Sequence, residues 1–173
     1  MMREMKLLYL LRHGKSSWAD AELDDYDRPL AARGRKATRL LARHIRRAGI
    51  RPAVVLCSSA RRTRQTLRLL KPGLGNKPER HIEDSLYGAD AAALLRRLRA
   101  LPKRADSVLL IGHNPGLQDL ALALARPGKA RERMQQRFPT GALATLRIDK
   151  AGWRKLGKGD AALVGYLTPQ ELR

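Results

Sequence analysis

The sequence predicts one α/β domain built around a largely parallel sheet. Three short apolar runs of strand length, at residues 6–11, 53–57 and 107–112, alternate with segments that carry apolar residues at helical spacing. Continuously apolar runs are typical of strands covered on both faces, and strand–helix alternation gives parallel strands joined by right-handed crossovers. Because 173 residues can bury one sizeable core, we expect a single domain over 1–173.

The first half of the chain alternates strand and helix. Its helical segments carry apolar residues every three or four positions, and Gly49 stands at the usual C-terminal position of the first helix. The polar stretch before that helix has no period and is predicted to be a loop. In chain order we predict a strand over 6–11, a loop over 20–28, a helix over 35–47, a strand over 53–57, and a helix that opens at 58–60, reaches about Leu70 and is closed by Pro72 and Gly73.

The second half continues the pattern and ends in strands. Its clearest element is the buried strand over 107–112, whereas the charged segment 126–137 could be helical or mobile. In chain order we predict a short strand over 81–83, a helix over 89–101 stopped by Pro102, the strand over 107–112, a turn over 113–116, a helix over 117–125, and strands over 142–148 and 162–167.

The formal charge of the chain is +20, and two interpretations of it stay open. One is an anionic partner, such as a phosphorylated or acidic protein; the other is a set of arginines that merely solvate helix faces. The basic residues are spread along the chain, which favours the second interpretation. Aromatic residues make up only 4% of the chain, which argues against a nucleic-acid partner.

The composition also bounds the compartment. No apolar run approaches the ~20 residues of a membrane span, and the first run is too short for a signal-peptide core. The single cysteine, Cys57, cannot form an internal disulfide, and its apolar neighbours predict that it is buried. We therefore expect a cytoplasmic protein with no membrane partner.

Polar residues follow each of the three clear strands. Arg12 and His13 follow the first, Ser58 and the arginine pair 61–62 follow the second, and His113 follows the third. Because the carboxyl ends of parallel strands lie at one edge of the sheet, these groups can converge. Guanidinium groups suit tetrahedral oxyanions, and a neutral imidazole can attack phosphorus. Two imidazoles without carboxylate or thiolate ligands make a poor metal site, so we expect no metal and no other cofactor.

Six motifs follow one another along the chain. They are LRHGKSSW at 11–18, DRPL at 27–30 followed by Gly34, SSARRTRQT at 58–66, LY at 86–87, GHNPG at 112–116 and FPTGA at 138–142. In this order they resemble the histidine phosphatases with the phosphoglycerate mutase-like fold, and more closely the SixA-type phosphohistidine phosphatases. The resemblance runs from Leu7 to about Leu146. It implies a three-layer domain whose largely parallel central sheet is flanked by helices.

The resemblance also implies roles for individual residues. Four of them would form the phosphate site: His13 as the nucleophile that becomes phosphorylated, Arg12 and Arg62 as ligands of the phosphoryl oxygens, and His113 as the group that completes the pocket. Arg62 is preferred to Arg61 because the family places its arginine three residues before Gln65. We further expect the substrate pocket to be lined by Ser58, Gly14 and Lys15.

Three departures from mutase-type members argue against mutase activity. Lys15 stands where an acidic residue is usual, Ala19 stands where an asparagine is usual, and Ser85 occupies the place aligned with the acid-bearing glutamate. Two nearby carboxylates, Glu83 and Asp84, are the remaining candidates for a general acid.

These observations predict a metal-independent phosphatase that acts through a phosphohistidine on His13. Its expected partner is a phosphorylated substrate, such as a histidine-phosphorylated signalling protein. One alternative keeps the chemistry but takes small phosphate esters as substrates. Another is a non-catalytic phosphate- or nucleic-acid-binding module, against which the pair His13 and His113 argues.

Several of these residues also have purely structural interpretations. Arg12 and His13 could cap a strand, and His113 could be a turn residue. We interpret His44 and His81 as structural. The arginines at 61, 64 and 68 are expected to form a solvated helix face. Trp18 and Tyr87 either shape the mouth of the pocket or pack in the core.

Overall fold

A computed structural model describes residues 5–75, 77–149 and 152–172 of the chain. These residues form one six-stranded sheet with helices on both faces. The strands are β1 (Lys6–Arg12), β2 (Val54–Ser58), β3 (Glu79–Glu83), β4 (Ser107–Gly112), β5 (Leu143–Ile148) and β6 (Ala161–Leu167). The helices are α1 (Ala32–Ala48), α2 (Arg61–Leu74), α3 (Ala91–Arg99), α4 (Gly116–Leu124) and α5 (Lys129–Gln136), with short 3₁₀ turns at Asp25–Asp27, Asp84–Leu86 and Pro169–Leu172.

The sheet is largely parallel, as predicted, with an antiparallel extension on one side. Its strand order is β3-β2-β4-β1-β5-β6. The first four strands in this order run parallel, whereas β5 and β6 run antiparallel to their neighbours. The carboxyl ends of β1, β2 and β4 therefore lie side by side, and the start of β5 and the end of β6 reach the same edge.

Successive side chains of the central strands enter two different cores. Along β1, Leu8 and Leu10 belong to one core and Tyr9 and Leu11 to the other. The first core is closed by α3, α4 and α5, and the second by α1 and α2. Because successive residues of a strand point to opposite faces, this division explains why the buried strands are continuously apolar. The result is the three-layer arrangement expected from the sequence.

Helix α1 begins earlier than predicted, at Ala32, and therefore includes Gly34. A Cβ atom at Gly34 would stand 2.2 Å from the carbonyl oxygen of Lys15, so only glycine lets the helix pack this closely on the chain after β1. The helix was predicted to begin at residue 35, which left this glycine outside it. In the structure it is a contact between a helix and the loop that follows His13.

Helix α2 ends later than predicted. It continues through Pro72 to Leu74, and Gly75 adopts the left-handed conformation with a φ of 65°. Pro72 lies in the last turn, where its missing N–H removes only one backbone hydrogen bond. At Gly73, a Cβ atom would stand 2.1 Å from the carbonyl oxygen of Ala42, so this glycine permits close packing of α2 on α1. The expectation that Pro72 and Gly73 close the helix was therefore wrong.

The charged segment 126–137 contains helix α5, which packs on α4. Met134 is fully buried in the first core, and the Gln118 side chain donates to the Met134 carbonyl at 2.9 Å. Arg131 donates to the carbonyl of Leu122 from the other end of the same helix pair.

Within the described part of the chain, no helix is both long and apolar enough to span a membrane.

Candidate active site

His13 lies at the end of β1 with 5% of its surface exposed. Its Nδ1 stands 2.7 Å from the carbonyl oxygen of Gly14. A carbonyl oxygen can only accept a hydrogen bond, so Nδ1 carries the ring proton and Nε2 carries a lone pair. The Nε–H of Arg62 donates to that Nε2 at 3.3 Å, which agrees with the same tautomer. The surrounding structure therefore fixes the tautomer of His13, with an unprotonated Nε2 whose lone pair accepts a hydrogen bond from Arg62.

The backbone that follows His13 is held by two helices. The amide of Gly14 donates to the Thr66 hydroxyl of α2 at 3.1 Å. On the other side, a Cβ atom at Gly14 would stand 2.8 Å from the Thr38 hydroxyl of α1, so only glycine fits here. The amide of Leu30 donates to the Gln65 side chain at 2.8 Å, which ties the neighbouring loop to α2. The carbonyl that orients His13 thus belongs to a rigid loop.

Arg62 is held in place by Asp25. One terminal nitrogen of Arg62 donates to the Asp25 carbonyl at 2.7 Å and the other to its carboxylate at 3.0 Å. The same carboxylate accepts from Tyr87 at 2.7 Å and from Arg28 at 2.9 Å. The hydrogen bond from Tyr87, together with Arg62 and Arg28, lowers the pKa of Asp25 to about 2. Asp25 is therefore a carboxylate at neutral pH.

Asp25 lies in the segment that was predicted to be an aperiodic loop, and it was not among the predicted site residues. In the structure Asp25 lies in a 3₁₀ turn, and its carboxylate forms an ion pair with Arg28, three residues later. A usable signal was present in the spacing. An aspartate three residues before the arginine of a recognised motif, in a chain of charge +20, is a candidate counter-ion.

Arg12 approaches the site from the end of β1. One of its terminal nitrogens donates to the Phe138 carbonyl at 3.0 Å, and the Asn114 amide donates to the same carbonyl, also at 3.0 Å. The Nε of Arg12 is buried and has no hydrogen-bond partner among the described residues. Burial, followed by the charge of Arg62, lowers the pKa of Arg12. Two guanidinium groups are therefore held near one another in a partly buried pocket.

His113 completes the group from the end of β4. Its ring centre lies 5.2 Å from that of His13, and Tyr87 packs its edge against it at 5.6 Å. Nε2 of His113 stands 2.7 Å from the Ser58 hydroxyl, whereas its buried Nδ1 has no partner in the described part of the chain. Burial lowers the pKa of His113 to about 4 and that of His13 to about 3. Both imidazoles are therefore neutral at physiological pH.

The structure thus brings together five of the residues expected from the sequence: His13, Arg12, Arg62, His113 and Ser58. Gly14 contributes its backbone to this group. Lys15 is exposed, and together with Gly14 it lines a separate cavity beside the site. The preference for Arg62 over Arg61 agrees with the helix register, because Arg62 is 6% exposed and contacts His13 whereas Arg61 faces solvent.

The two carboxylates proposed as general acids are not brought to the histidines by any described hydrogen bond. Glu83 accepts three hydrogen bonds from Arg97 of α3, the shortest at 2.7 Å. These hydrogen bonds lower the pKa of Glu83, so it holds no proton near neutrality. Asp84 is exposed at the start of a 3₁₀ turn. Neither carboxylate has the environment of a buried proton donor.

The remaining residues singled out in the sequence take mixed roles. Trp18 is 73% exposed, which excludes the core interpretation, and the Arg28 guanidinium lies 3.2 Å above its ring. Tyr87 borders the pocket through its contacts with Asp25 and His113. Arginines 61, 64 and 68 form the exposed helix face that we expected. Cys57 is buried, and burial raises the pKa of its thiol to about 12, so it is not an available nucleophile.

This arrangement has the chemistry of a phosphate site with a built-in nucleophile. It combines a neutral imidazole whose Nε2 carries no proton, two guanidinium groups, and a second neutral imidazole. Asp25 supplies one negative charge against the two guanidinium groups, so the pocket keeps a net positive charge. A tetrahedral oxyanion is the ligand that such a set of donors favours.

Comparisons with known sequences agree with this geometry. The family model of the Histidine phosphatase superfamily (branch 1) matches residues 8–90, which include Arg12, His13 and Arg62. The uncharacterized protein Rv1276c of Mycobacterium tuberculosis (strain ATCC 25618 / H37Rv) is 38% identical over 167 residues, covering 92% of this chain and 100% of the relative.

Solved structures extend the likeness over almost the whole chain. The proposed phosphohistidine phosphatase SixA from Nakamurella multipartitia superposes with a TM-score of 0.81 at 29% identity, covering 95% of this chain and 96% of that chain. The protein histidine phosphatase SixA complexed with tungstate superposes with a TM-score of 0.79 at 25% identity, covering 96% and 99%. The three-layer α/β fold described above is therefore the phosphoglycerate mutase-like fold of these SixA structures.

The buried, neutral histidines predict how folding stability depends on pH. In the unfolded chain their pKa returns to about 6.5, whereas in the folded protein it lies near 3 and 4. Between these values the unfolded chain binds protons that the folded protein does not. The free energy of unfolding should therefore fall as the pH is lowered from about 6.5, by up to about 1.4 kcal/mol per pH unit for each histidine.

Denaturant unfolding near pH 7 and about pH 5 measures this dependence, and Asp25 does not interfere because it titrates in a lower range. His113→Asn should lose roughly half of the pH dependence. His44→Asn, which removes a histidine of α1 outside the site, is the matched control for a histidine substitution. Equal stability of the wild-type protein at both pH values would show that the pocket does not hold its histidines neutral.

Proposed function

Because this chain belongs to the histidine phosphatase superfamily, we propose that it is a phosphohistidine phosphatase whose phosphoryl intermediate forms on Nε2 of His13. The observation that carries the proposal is the fixed tautomer of His13. Its Nδ1–H is committed to the Gly14 carbonyl, so Nε2 can attack phosphorus without first losing a proton. Its low pKa keeps this lone pair available over the physiological pH range.

The reaction proceeds in two displacements at phosphorus. In the first, the lone pair of His13 Nε2 forms a bond to phosphorus while the bond to the leaving group breaks. The positive charge that develops on the His13 ring is stabilised by the Nδ1–H bond to Gly14. In the second, a water oxygen bonds to phosphorus, the Nε2–phosphorus bond breaks, and the proton of the water passes to solvent. Phosphate is released and His13 returns to its starting tautomer.

Three further side chains hold the transferring group. Arg12 and Arg62 stabilise the phosphoryl oxygens electrostatically, and the buried Nε of Arg12 is a donor that no described protein group uses. When the Ser58 hydroxyl donates its hydrogen bond to Nε2 of His113, Nδ1 carries the ring proton and can donate to a phosphoryl oxygen. The protein histidine phosphatase SixA that resembles this chain was solved with tungstate, a tetrahedral oxyanion, which supports this use of the pocket.

The substrate class follows from the available proton donors. An alkyl phosphate leaves as an alkoxide and needs a proton from a general acid in the transition state. Glu83 is paired with Arg97, Asp84 is exposed, and Asp25 is kept ionised by its partners. A phosphohistidine leaves as an imidazole, which solvent near pH 7 can protonate. The pocket therefore suits phosphohistidine, and a histidine-phosphorylated signalling protein is the partner we propose.

No step of this mechanism uses a metal ion or another cofactor. Within 5–75, 77–149 and 152–172, no three His, Cys, Asp or Glu side chains are grouped so that they could hold a metal. The charges that stabilise the transferring group come from Arg12 and Arg62. The function we propose is thus metal-independent and is contained in a single histidine phosphatase domain over 1–173.

Trapping the intermediate tests the proposal. The protein is mixed briefly with a radiolabelled histidine-phosphorylated protein and denatured in alkali, in which phosphohistidine survives. We expect label on wild-type protein and on His44→Ala, but neither label nor turnover with His13→Ala. Labelling or substantial turnover of a folded His13→Ala protein would remove His13 as the nucleophile.

Two adjacent arginines of α2 offer a matched pair of variants. Arg62→Ala should cost about 3 kcal/mol of transition-state stabilisation, on the order of a hundredfold in kcat/KM. Arg61→Ala should change kcat/KM little, because its guanidinium is exposed and makes one described hydrogen bond, to the Asp27 carbonyl. Steady-state kinetics of both variants, with unfolding curves to confirm that they fold, decide the question. The opposite ranking would place the wrong arginine at the phosphoryl group.

The leaving group provides a third test. We expect kcat/KM to be highest for phosphohistidine, intermediate for activated aryl phosphates, and lowest for alkyl phosphates such as phosphoglycerate. The measurement is steady-state kinetics on all three classes at one pH. Alkyl phosphates turned over as well as phosphohistidine would mean that a proton donor operates, and Glu83→Gln and Asp84→Asn would then identify it.

A further inference from the structure

A second cavity of about 420 Å³ lies beside the candidate active site. It is located at the same edge of the sheet, because Leu11 at the end of β1 pairs with Leu143, and Leu143 pairs with Leu167 at the end of β6. Its walls are the first turns of α1, the chain just after His13, the loop before β5 and the chain just after β6. The lining residues are Gly14, Lys15, Arg33, Lys36, Ala37, Leu40, Arg137, Pro139, Thr140, Gly141, Thr168, Pro169 and Gln170.

The charge of this cavity is entirely positive. Its lining includes Lys15, Arg33, Lys36 and Arg137 but no carboxylate. None of these four side chains makes a hydrogen bond or ion pair with another described residue, whereas most of the other arginines in the protein do. Glu171, which follows the wall formed after β6, is already bound by Arg133 and by the Thr168 amide. Four cations from three separate segments therefore face one space without a counter-charge among the lining residues.

The remaining lining identifies the kind of anion. Ala37, Leu40, Pro139 and Pro169 give the cavity an apolar component, and its volume lies in the range that holds an organic ligand. No aromatic side chain lines it, so it offers no stacking platform for nucleic-acid bases. A ligand that combines carboxylates with aliphatic side chains satisfies both components. An acidic segment of a polypeptide has this chemistry.

The cavity is also within reach of the phosphoryl site. Gly14 lines it and is covalently bonded to His13. Neighbouring strands lie about 4.8 Å apart, so the distance along the sheet edge from β1 to β6 is roughly 10 Å. An extended chain covers this distance in about three residues. One protein segment can therefore place a phosphohistidine at His13 and an acidic stretch in the cavity.

We propose that this cavity docks an acidic segment of the phosphoprotein substrate, next to the histidine that carries the phosphoryl group. The inference rests on the proposed phosphohistidine phosphatase activity and adds a determinant of substrate choice. It also gives part of the +20 charge a defined role. Charged groups at such a rim act on the encounter and orientation of the partner more than on the chemical step.

The test compares two double variants of the same helix. Arg33→Gln/Lys36→Gln removes two charges from the cavity, and both side chains are exposed, so folding should be retained. Arg43→Gln/Arg46→Gln is the matched control, because it removes two exposed charges at the same spacing on α1 but from a separate cavity between α1 and α2. Both variants therefore have the same net charge.

Binding is measured first, with a fluorescein-labelled peptide of alternating Glu and Leu residues. We expect the cavity variant to weaken its affinity about tenfold, the size of two partly exposed charge interactions, and the control variant to leave it nearly unchanged. Equal loss in both variants would attribute binding to net charge and overturn the proposal. So would absence of peptide binding, or tighter binding of a single-stranded oligonucleotide that depends on the same two residues.

Kinetics then connect the cavity with turnover. For a histidine-phosphorylated protein with an acidic segment beside the histidine, the cavity variant should raise KM about tenfold with little change in kcat. Its activity on an aryl phosphate should equal that of wild type, because Arg33 and Lys36 do not contact the phosphoryl site. An equal loss on both substrates would overturn the docking role. If no variant hydrolysed phosphohistidine, the proposed function would fail, whereas the peptide measurement would still decide whether the cavity binds acidic segments.

Discussion

The hydrogen bond from His13 Nδ1 to the Gly14 carbonyl is the constraint on which the rest of the site depends. A neutral imidazole can carry its proton on either nitrogen and can rotate about its bonds. The carbonyl removes both freedoms, and it belongs to a loop that is itself fixed. The Thr66 hydroxyl of α2 accepts a hydrogen bond from the Gly14 amide, and Gly34 lets α1 pack against the backbone of Lys15. The chemistry at one nitrogen atom thus depends on how two helices pack on the chain after β1.

Electrostatics impose two requirements on the site that partly oppose each other. A phosphate site needs positive charge, yet a histidine nucleophile must stay neutral. Burial together with the neighbouring guanidinium groups meets both needs, because the cations that bind a phosphoryl group also lower the pKa of His13. Asp25 limits the accumulated charge by pairing with Arg62. Its carboxylate is half exposed, so it orients the guanidinium without fully neutralising the pocket.

The sequence contained most of the fold and the centre of the site, because both depend on short-range patterns. Continuous apolar runs located three of the four parallel strands, β1, β2 and β4, and the residues that follow their ends met at one sheet edge. What could not be predicted depends on contacts between distant segments. From the local sequence, Gly34 and Gly73 were predicted to lie at or beyond helix ends, but in three dimensions they are points of close packing. Asp25 has a local signal only in its spacing to Arg28, and its role at the site comes from Arg62 and Tyr87, which lie far along the chain.

For the function we propose, the contacts of Arg62 determine how the phosphoryl group would bind. Its Nε–H occupies the lone pair of His13 Nε2, so this hydrogen bond has to break before the nitrogen can attack. Both terminal nitrogens of Arg62 are bound to Asp25, which prevents a large swing of the guanidinium. A phosphoryl oxygen is a stronger acceptor for Nε–H than a neutral imidazole, because it is charged. In the mechanism we propose, the arriving phosphoryl group therefore takes over the hydrogen bond with little movement of Arg62, and it frees the nucleophile as it binds.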